Sequence, residues 1–239
     1  MLLTGCSALA ASPSPTSTYT DDSGKTVTVD WESYPAHAGQ DGEALIEYPD
    51  QSKLEPAARQ LMDELRTTIA DTSGFELKPA QPESEWFSDG SWHPQVGNGY
   101  GGDSLLTTVN CCELTSDGLP DPDQWQMVLD AASEITRVAG LGSFVRDESL
   151  EECADTDEQC WVWSATATDG VQWVYLSIQD RSLDPTGEAS QEADKFDWPL
   201  TSIGISYGAT VVQAGSLSDY RAAMRPFVGL DRPDATTSD

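Results

Sequence analysis

Between Trp161 and Val211 apolar and polar side chains largely alternate with a period of two, and the first such stretch is interrupted by Asp169-Gly170. Successive strand residues point to opposite faces, so runs of this kind read as strands with one buried and one wet face. Asp-Gly between two such runs is a strong hairpin signal. A two-residue turn there sets Trp161, Trp163 and Ala165 opposite Ile178, Leu176 and Val174, which makes one face of the ribbon uniformly apolar. The other face carries Val162, Trp173 and Tyr175, and rings at those positions predict a face that is not fully solvated. Ile203, Ile205, Tyr207, Ala209 and Val211 continue the alternation in a further strand. Ser104 to Leu114 and Leu141 to Arg146 supply two more, and Lys25 to Trp31 reads as a short edge strand.

Three stretches change to helical spacing. Leu54, Ala58, Leu61, Met62, Leu65 and Ile69 form one stripe in a helix expected from about Ser52 to Thr72, with Ser52 as cap and Gly74 as stop. Trp125, Val128, Leu129, Ala132, Ile135 and Val138 form the stripe of a second, from about Asp121 to Ala139. A shorter third runs from about Ser216 to Phe227. The expected fold class is α+β, a mostly antiparallel sheet with the two main helices packed on one face. The expected organisation is a tether over residues 1–25, one domain over 26–230 and a disordered tail over 231–239.

Charge narrows the partners. Lys and Arg number 12 against 41 Asp and Glu, a net charge of −29 over 239 residues. Such a chain repels the phosphate backbone, which argues against nucleic acid. No stretch approaches the roughly 18 apolar residues of a membrane-spanning helix.

Leu3-Thr4-Gly5-Cys6 fits the bacterial lipobox, in which small residues admit the signal peptidase and the thiol accepts a diacylglycerol. The Ser/Thr/Pro-rich run that follows reads as a tether. A signal peptide needs about 7–15 apolar residues before its cleavage site. Only Met1 and Leu2 precede this box, so the signal is expected upstream of Met1 or already trimmed. With Cys6 acylated, four cysteines remain, an even number that suits an oxidising compartment. Cys153 and Cys160 are expected to form a disulfide across an acidic loop; Cys111 and Cys112, adjacent on a strand, are expected to face apart and not to bond each other.

Several motifs imitate chemistry without its context. Gly97-Asn98-Gly99-Tyr100-Gly101-Gly102 is a literal G-x-G-x-x-G, but a strand-like run follows it where a dinucleotide site needs a helix. Gly204-Ile205-Ser206-Tyr207-Gly208 matches a nucleophile elbow, yet the strand pattern runs straight through it and both histidines, His37 and His93, lie upstream. The acids from Asp147 to Glu158 lack calcium-loop spacing, so neither metal nor cofactor is expected. Trp86, Phe87, Trp92 and Tyr100 lie in a Pro/Gly/Ser-rich stretch, where large rings mark a candidate binding surface, or else a cap on the open end of the sheet.

The run Asn98-Gly99-Tyr100-Gly101-Gly102-Asp103-Ser104-Leu105-Leu106, followed by Trp125 opening a helix that ends before a glycine turn, resembles the LppA-like lipoproteins of actinobacteria. The resemblance spans roughly residues 50–225 and implies an α+β domain held outside the cytoplasmic membrane, with no catalytic residue to carry over. Sequence and resemblance together lead to a non-enzymatic lipoprotein, anchored to the cell membrane and facing outward, that binds an envelope protein or glycan. The alternative is an envelope hydrolase using a carboxylate pair.

Overall fold

The computed structural model describes residues 13–21, 23–147 and 161–237. Its first element corrects an expectation. β1 (Thr16–Thr20) and β2 (Thr26–Asp30) pair antiparallel as a separate ribbon, so the stretch expected to be a tether already contains a strand. Thr and Tyr favour extended backbone, a signal hidden by the Ser/Pro composition just before it. The Asp21 carboxylate closes the turn by accepting from the amides of Ser23 at 2.9 Å and Lys25 at 3.0 Å.

α1 (Gln51–Ser73) buries the expected stripe and ends where Gly74, at φ +79°, takes the left-handed conformation and donates its N–H to the Ala70 carbonyl. Asp50 rather than Ser52 occupies its N-cap. β3 (Lys78–Pro79) and β4 (Trp92–Pro94) both pair with one edge of β5 (Leu106–Thr115). α2 (Pro122–Val138) follows Asp121, and the Trp125 indole donates to the Pro120 carbonyl at 2.8 Å. β6 (Val145–Arg146), β7 (Val162–Thr168) and β8 (Gln172–Asp180) come next. A short helix that sequence periodicity did not mark, α3 (Glu188–Phe196), leads to β9 (Thr201–Val212) and α4 (Leu217–Met224).

The main sheet is antiparallel in the order β3-β5-β9-β8-β7-β6, with β4 also on β5. α1 and α2 pack on each other and on one face of it. Trp125 of α2 meets Trp163 of β7 edge-on at 5.2 Å, and that face also buries Leu176, Ile178, Ile203, Ile205 and Tyr207. The fold class read from the sequence is the one found.

One register differs from expectation, and a second is irregular. The 162–180 hairpin pairs Trp163 with Ile178, Ala165 with Leu176 and Ala167 with Val174, because its loop spans four residues instead of two. Asp169 holds that loop by accepting from the amides of Val171 and Gln172 at 2.9 and 2.7 Å. A slip by an even number preserves which side chains face which way, so the apolar face survives. In β5 the register jumps between Cys111, opposite Tyr207, and Leu114, opposite Ile205: three steps on one strand meet two on the other. This is a β-bulge. It reverses the phase of β5, turning Leu114 onto the helix-covered face and Glu113 and Thr115 onto the open one.

Candidate functional site

The four aromatics read as a binding surface, or else as a cap on the sheet, are buried or half-buried. Trp86 and Tyr100 are only 3% and 2% exposed, and Phe87 and Trp92 are half-buried. Phe87 lies 6.3 Å from Trp92 and 6.2 Å from Tyr207, with the Arg59 guanidinium over both Trp86 and Phe87. Tyr100 belongs to a cluster with Trp31, Tyr34 and Phe227 at centroid separations of 5.0 to 6.1 Å. Burial pushes the Tyr100 hydroxyl pKa up to about 12.

The glycine motif is the joint behind this cluster. The Asn98 side chain, fully buried, donates to the carbonyls of Trp31, Glu32 and Tyr34 at 2.9 to 3.2 Å. Its carbonyl oxygen accepts from the amides of Tyr100 and Gly102 at 2.8 and 3.0 Å. A Cβ on Gly102 would stand 1.7 Å from the Glu32 carbonyl oxygen, so no larger residue fits. The motif therefore serves packing, and β5 follows it where a nucleotide site needs a helix.

Cys111 and Cys112 correct a second expectation, for they are joined to each other. The alternation that would turn them apart holds only in regular strand. Cys112 adopts φ +66° at the bulge, which brings both sulfurs to one side. Cys6, Cys153 and Cys160 lie outside the described residues, as does most of the acidic run from Asp147 to Glu158. Among the described residues no cluster of His, Cys, Asp and Glu could hold a metal ion, and no helix is long and apolar enough to cross a membrane.

The open face of the sheet holds what sequence reasoning missed. A cleft of about 680 Å³ runs over β5, β9 and β8. Its floor is polar, with Thr115, Ser177, Gln179, Ser202 and Ser206, and Glu113 stands at one side. The motif expected not to be a nucleophile elbow is continuous strand: Gly204 and Ser206 lie in the cleft, and Tyr207 points the other way. Gly208 accommodates the Trp173 ring, whose atoms would lie 2.2 Å from any Cβ there. Trp173 is thus half-buried, as expected of the hairpin's second face, while Tyr175 stays 36% exposed beside the cleft.

The far wall comes from the excursion between β8 and β9. The Asp184 carboxylate accepts from the amides of Thr186 and Ala189 and so starts α3. Asp197, at φ +55°, ends it, and the Trp198 N–H closes on the Ala193 carbonyl at 2.9 Å. That turn delivers Trp198 to the cleft. Phe196 stacks on Trp198 at 4.9 Å, and both rings are half exposed, at 50% and 49%. Arg181 ties the base of the excursion: its amide donates to the Leu200 carbonyl at 2.8 Å and its guanidinium to the Pro199 carbonyl at 2.7 Å. Partial burial lowers the Arg181 pKa without discharging it. Among the described residues it joins no ion pair, in a chain where acids outnumber bases more than three to one. The arrangement offers hydrogen-bond donors and acceptors on the floor, ring surface at the wall and, among the described residues, one anion and one cation.

No family model matches the chain, and no curated protein does. Among solved structures the chain is similar to LppA from Mycobacterium tuberculosis, at 9% identity and a TM-score of 0.42, over 83% of this chain and 90% of that one. That is a distant likeness of fold, not family membership.

Proposed function

We propose that the chain is a lipid-anchored binding module of the cell envelope, held by Cys6 on the outer side of the membrane, with the open-face cleft as its binding site. The observation that carries this reading is where apolar surface has been left exposed. Of the ten large apolar residues exposed among the described residues, Tyr175, Leu183, Phe196, Trp198 and Leu200 all belong to β8 or the 181–200 excursion. Exposed apolar groups gathered beside a polar cleft mark a contact surface.

Binding accounts for the cleft better than catalysis does. A carboxylate pair for glycoside hydrolysis needs two acids facing each other, and among the described residues the cleft wall offers Glu113 alone. Neither histidine lines it.

A photoreactive residue at Ser177, in the full-length protein, is expected to capture an envelope component in native membranes. The same residue at Val138, on α2, is not. Replacing Trp198 by alanine should abolish the Ser177 adduct. Equal capture at both positions, or none at Ser177, defeats the reading of the cleft. Anchoring is tested separately: palmitate label should be lost in Cys6→Ser, and label that persists defeats it.

A further inference from the structure

We infer that the cleft takes a neutral, hydroxyl-rich oligosaccharide, an inference that rests on the cleft being a binding site. The floor decides against an apolar ligand, since Thr115, Ser177, Gln179, Ser202 and Ser206 would lose water without gaining partners beneath a lipid chain or an apolar helix. It also decides against strand addition. The floor strands β5, β9 and β8 spend their backbone groups on one another along the paired ladder, and the cleft lies over their face, not at a free edge. Recognition must therefore run through side chains. The charges remove a further class, because a net charge of −29 opposes a polyanion on approach.

A ligand that fits is amphipathic at short range, carries no net negative charge, and is dense in groups that both donate and accept. A sugar has those properties. Sugar hydroxyls can donate to Glu113 and accept from Arg181, so a carboxylate and a guanidinium that joins no ion pair among the described residues suit them better than they suit a fixed-sign ligand. The C–H faces of the ring require apolar surface, which Trp198, Pro199 and Tyr175 provide. Phe196 stacks on Trp198 from within the same excursion, which limits the freedom of that wall. Gly204 adds no side chain to the floor between Ser202 and Ser206, so a ring can settle against the strands.

The test titrates the full chain with matched pairs of oligosaccharides of four to six sugars: uncharged hexose and N-acetylhexosamine oligomers, and their uronic-acid or sulfated counterparts. Saturation-transfer NMR and calorimetry serve as readouts. At least one uncharged oligomer is expected to bind, and its acidic counterpart to bind at least about tenfold more weakly. Tyr175→Ala and Trp198→Ala should each weaken binding about tenfold or more, as should Glu113→Gln. The last variant keeps the side chain's shape and so separates recognition from folding. Val138→Ser on α2 should leave binding unchanged. Tighter binding of the acidic member, or uncharged binding that survives all three cleft variants, overturns the inference. If no oligosaccharide binds while Ser177 still captures a protein in membranes, the glycan class is wrong and the cleft reading stands. If Ser177 captures nothing either, both fall.

Discussion

Two groups of aromatic residues in this molecule meet opposite fates. Trp31, Tyr34, Tyr100 and Phe227 are buried together, whereas Phe196 and Trp198 stack on each other with half their surface in water. Ring chemistry does not distinguish them, for each group contains edge-tilted or stacked contacts at about 5 Å. Backbone polarity does. A loop can be buried only when its carbonyls and amides find partners, and Asn98 supplies five such bonds behind Tyr100. Behind Trp198 the tie is thinner: Arg181 bonds the carbonyls of Pro199 and Leu200 and lies against the ring, and the neighbours Asp194, Lys195 and Asp197 are charged and exposed. One group therefore holds the fold and the other remains available to a partner.

The largest expected effect breaks that contrast at its joint. Asn98→Ala leaves buried backbone groups without partners and should cost at least about 3 kcal/mol, a fall in Tm of about 6–12 °C by circular dichroism. Trp198→Ala should change stability by less than about 0.5 kcal/mol. Equal losses in the two variants would erase the distinction.

Alkali probes the same division. Burial, the first cause in each case, raises the pKa of Tyr34, Tyr100 and Tyr220, with Tyr100 reaching about 12. The unfolded value is near 10, so between about pH 10 and 12 the native chain keeps protons that the unfolded chain releases. The stabilisation from these groups is whole below about pH 10 and is lost as pH rises through the folded values. Stability measured in urea from pH 8 to 11.5 should be flat, then fall. A fall that begins below pH 9 would locate the sensitive groups elsewhere.

A smaller change tests the open face. Gly208→Ala drives a methyl into the Trp173 indole. Moving the ring should cost about 1–3 kcal/mol and shift the tryptophan emission toward that of exposed indole. An unchanged spectrum would show that Trp173 is not held over Gly208.

Legibility in the sequence followed periodicity. The two long helices and strands β7, β8 and β9 carry side-chain periods long enough to count, and they lie within a few residues of where the pattern sets them. Features set by a single backbone choice did not show. The four-residue loop at Asp169 looks identical to a two-residue turn until its hydrogen bonds are known. α3 is nine residues with one buried side chain, Ala193, too little to form a stripe. The residue that follows this helix, Asp197 at φ +55°, sends Trp198 toward the cleft, so the wall could not be foreseen either. The glycines at Gly204 and Gly208 were visible, but only the ring over one and the cleft over the other give them a reason.

The smallest expected effect concerns what holds Glu113 at the cleft, the bulge or the bond between Cys111 and Cys112. In the chain-entropy account a cross-link between neighbours in sequence closes the shortest possible loop and contributes only about 1 kcal/mol. The phase of β5 is worth more. Without the bulge Leu114, now fully buried, would turn to the open face, and Glu113 would turn inward. Exposing a leucine side chain costs about 1.5–3 kcal/mol, and burying an unpaired carboxylate costs more. Burial therefore sets the bulge, and the disulfide follows from it. Reduction in a Cys153→Ser, Cys160→Ser background should lower Tm by only about 2–4 °C and leave the NMR contacts between Leu114 and Ile205 in place. Ligand affinity at the cleft should then hold. If reduction instead pairs Leu114 with Gly204 and weakens binding, the bond and not the apolar phase positions Glu113.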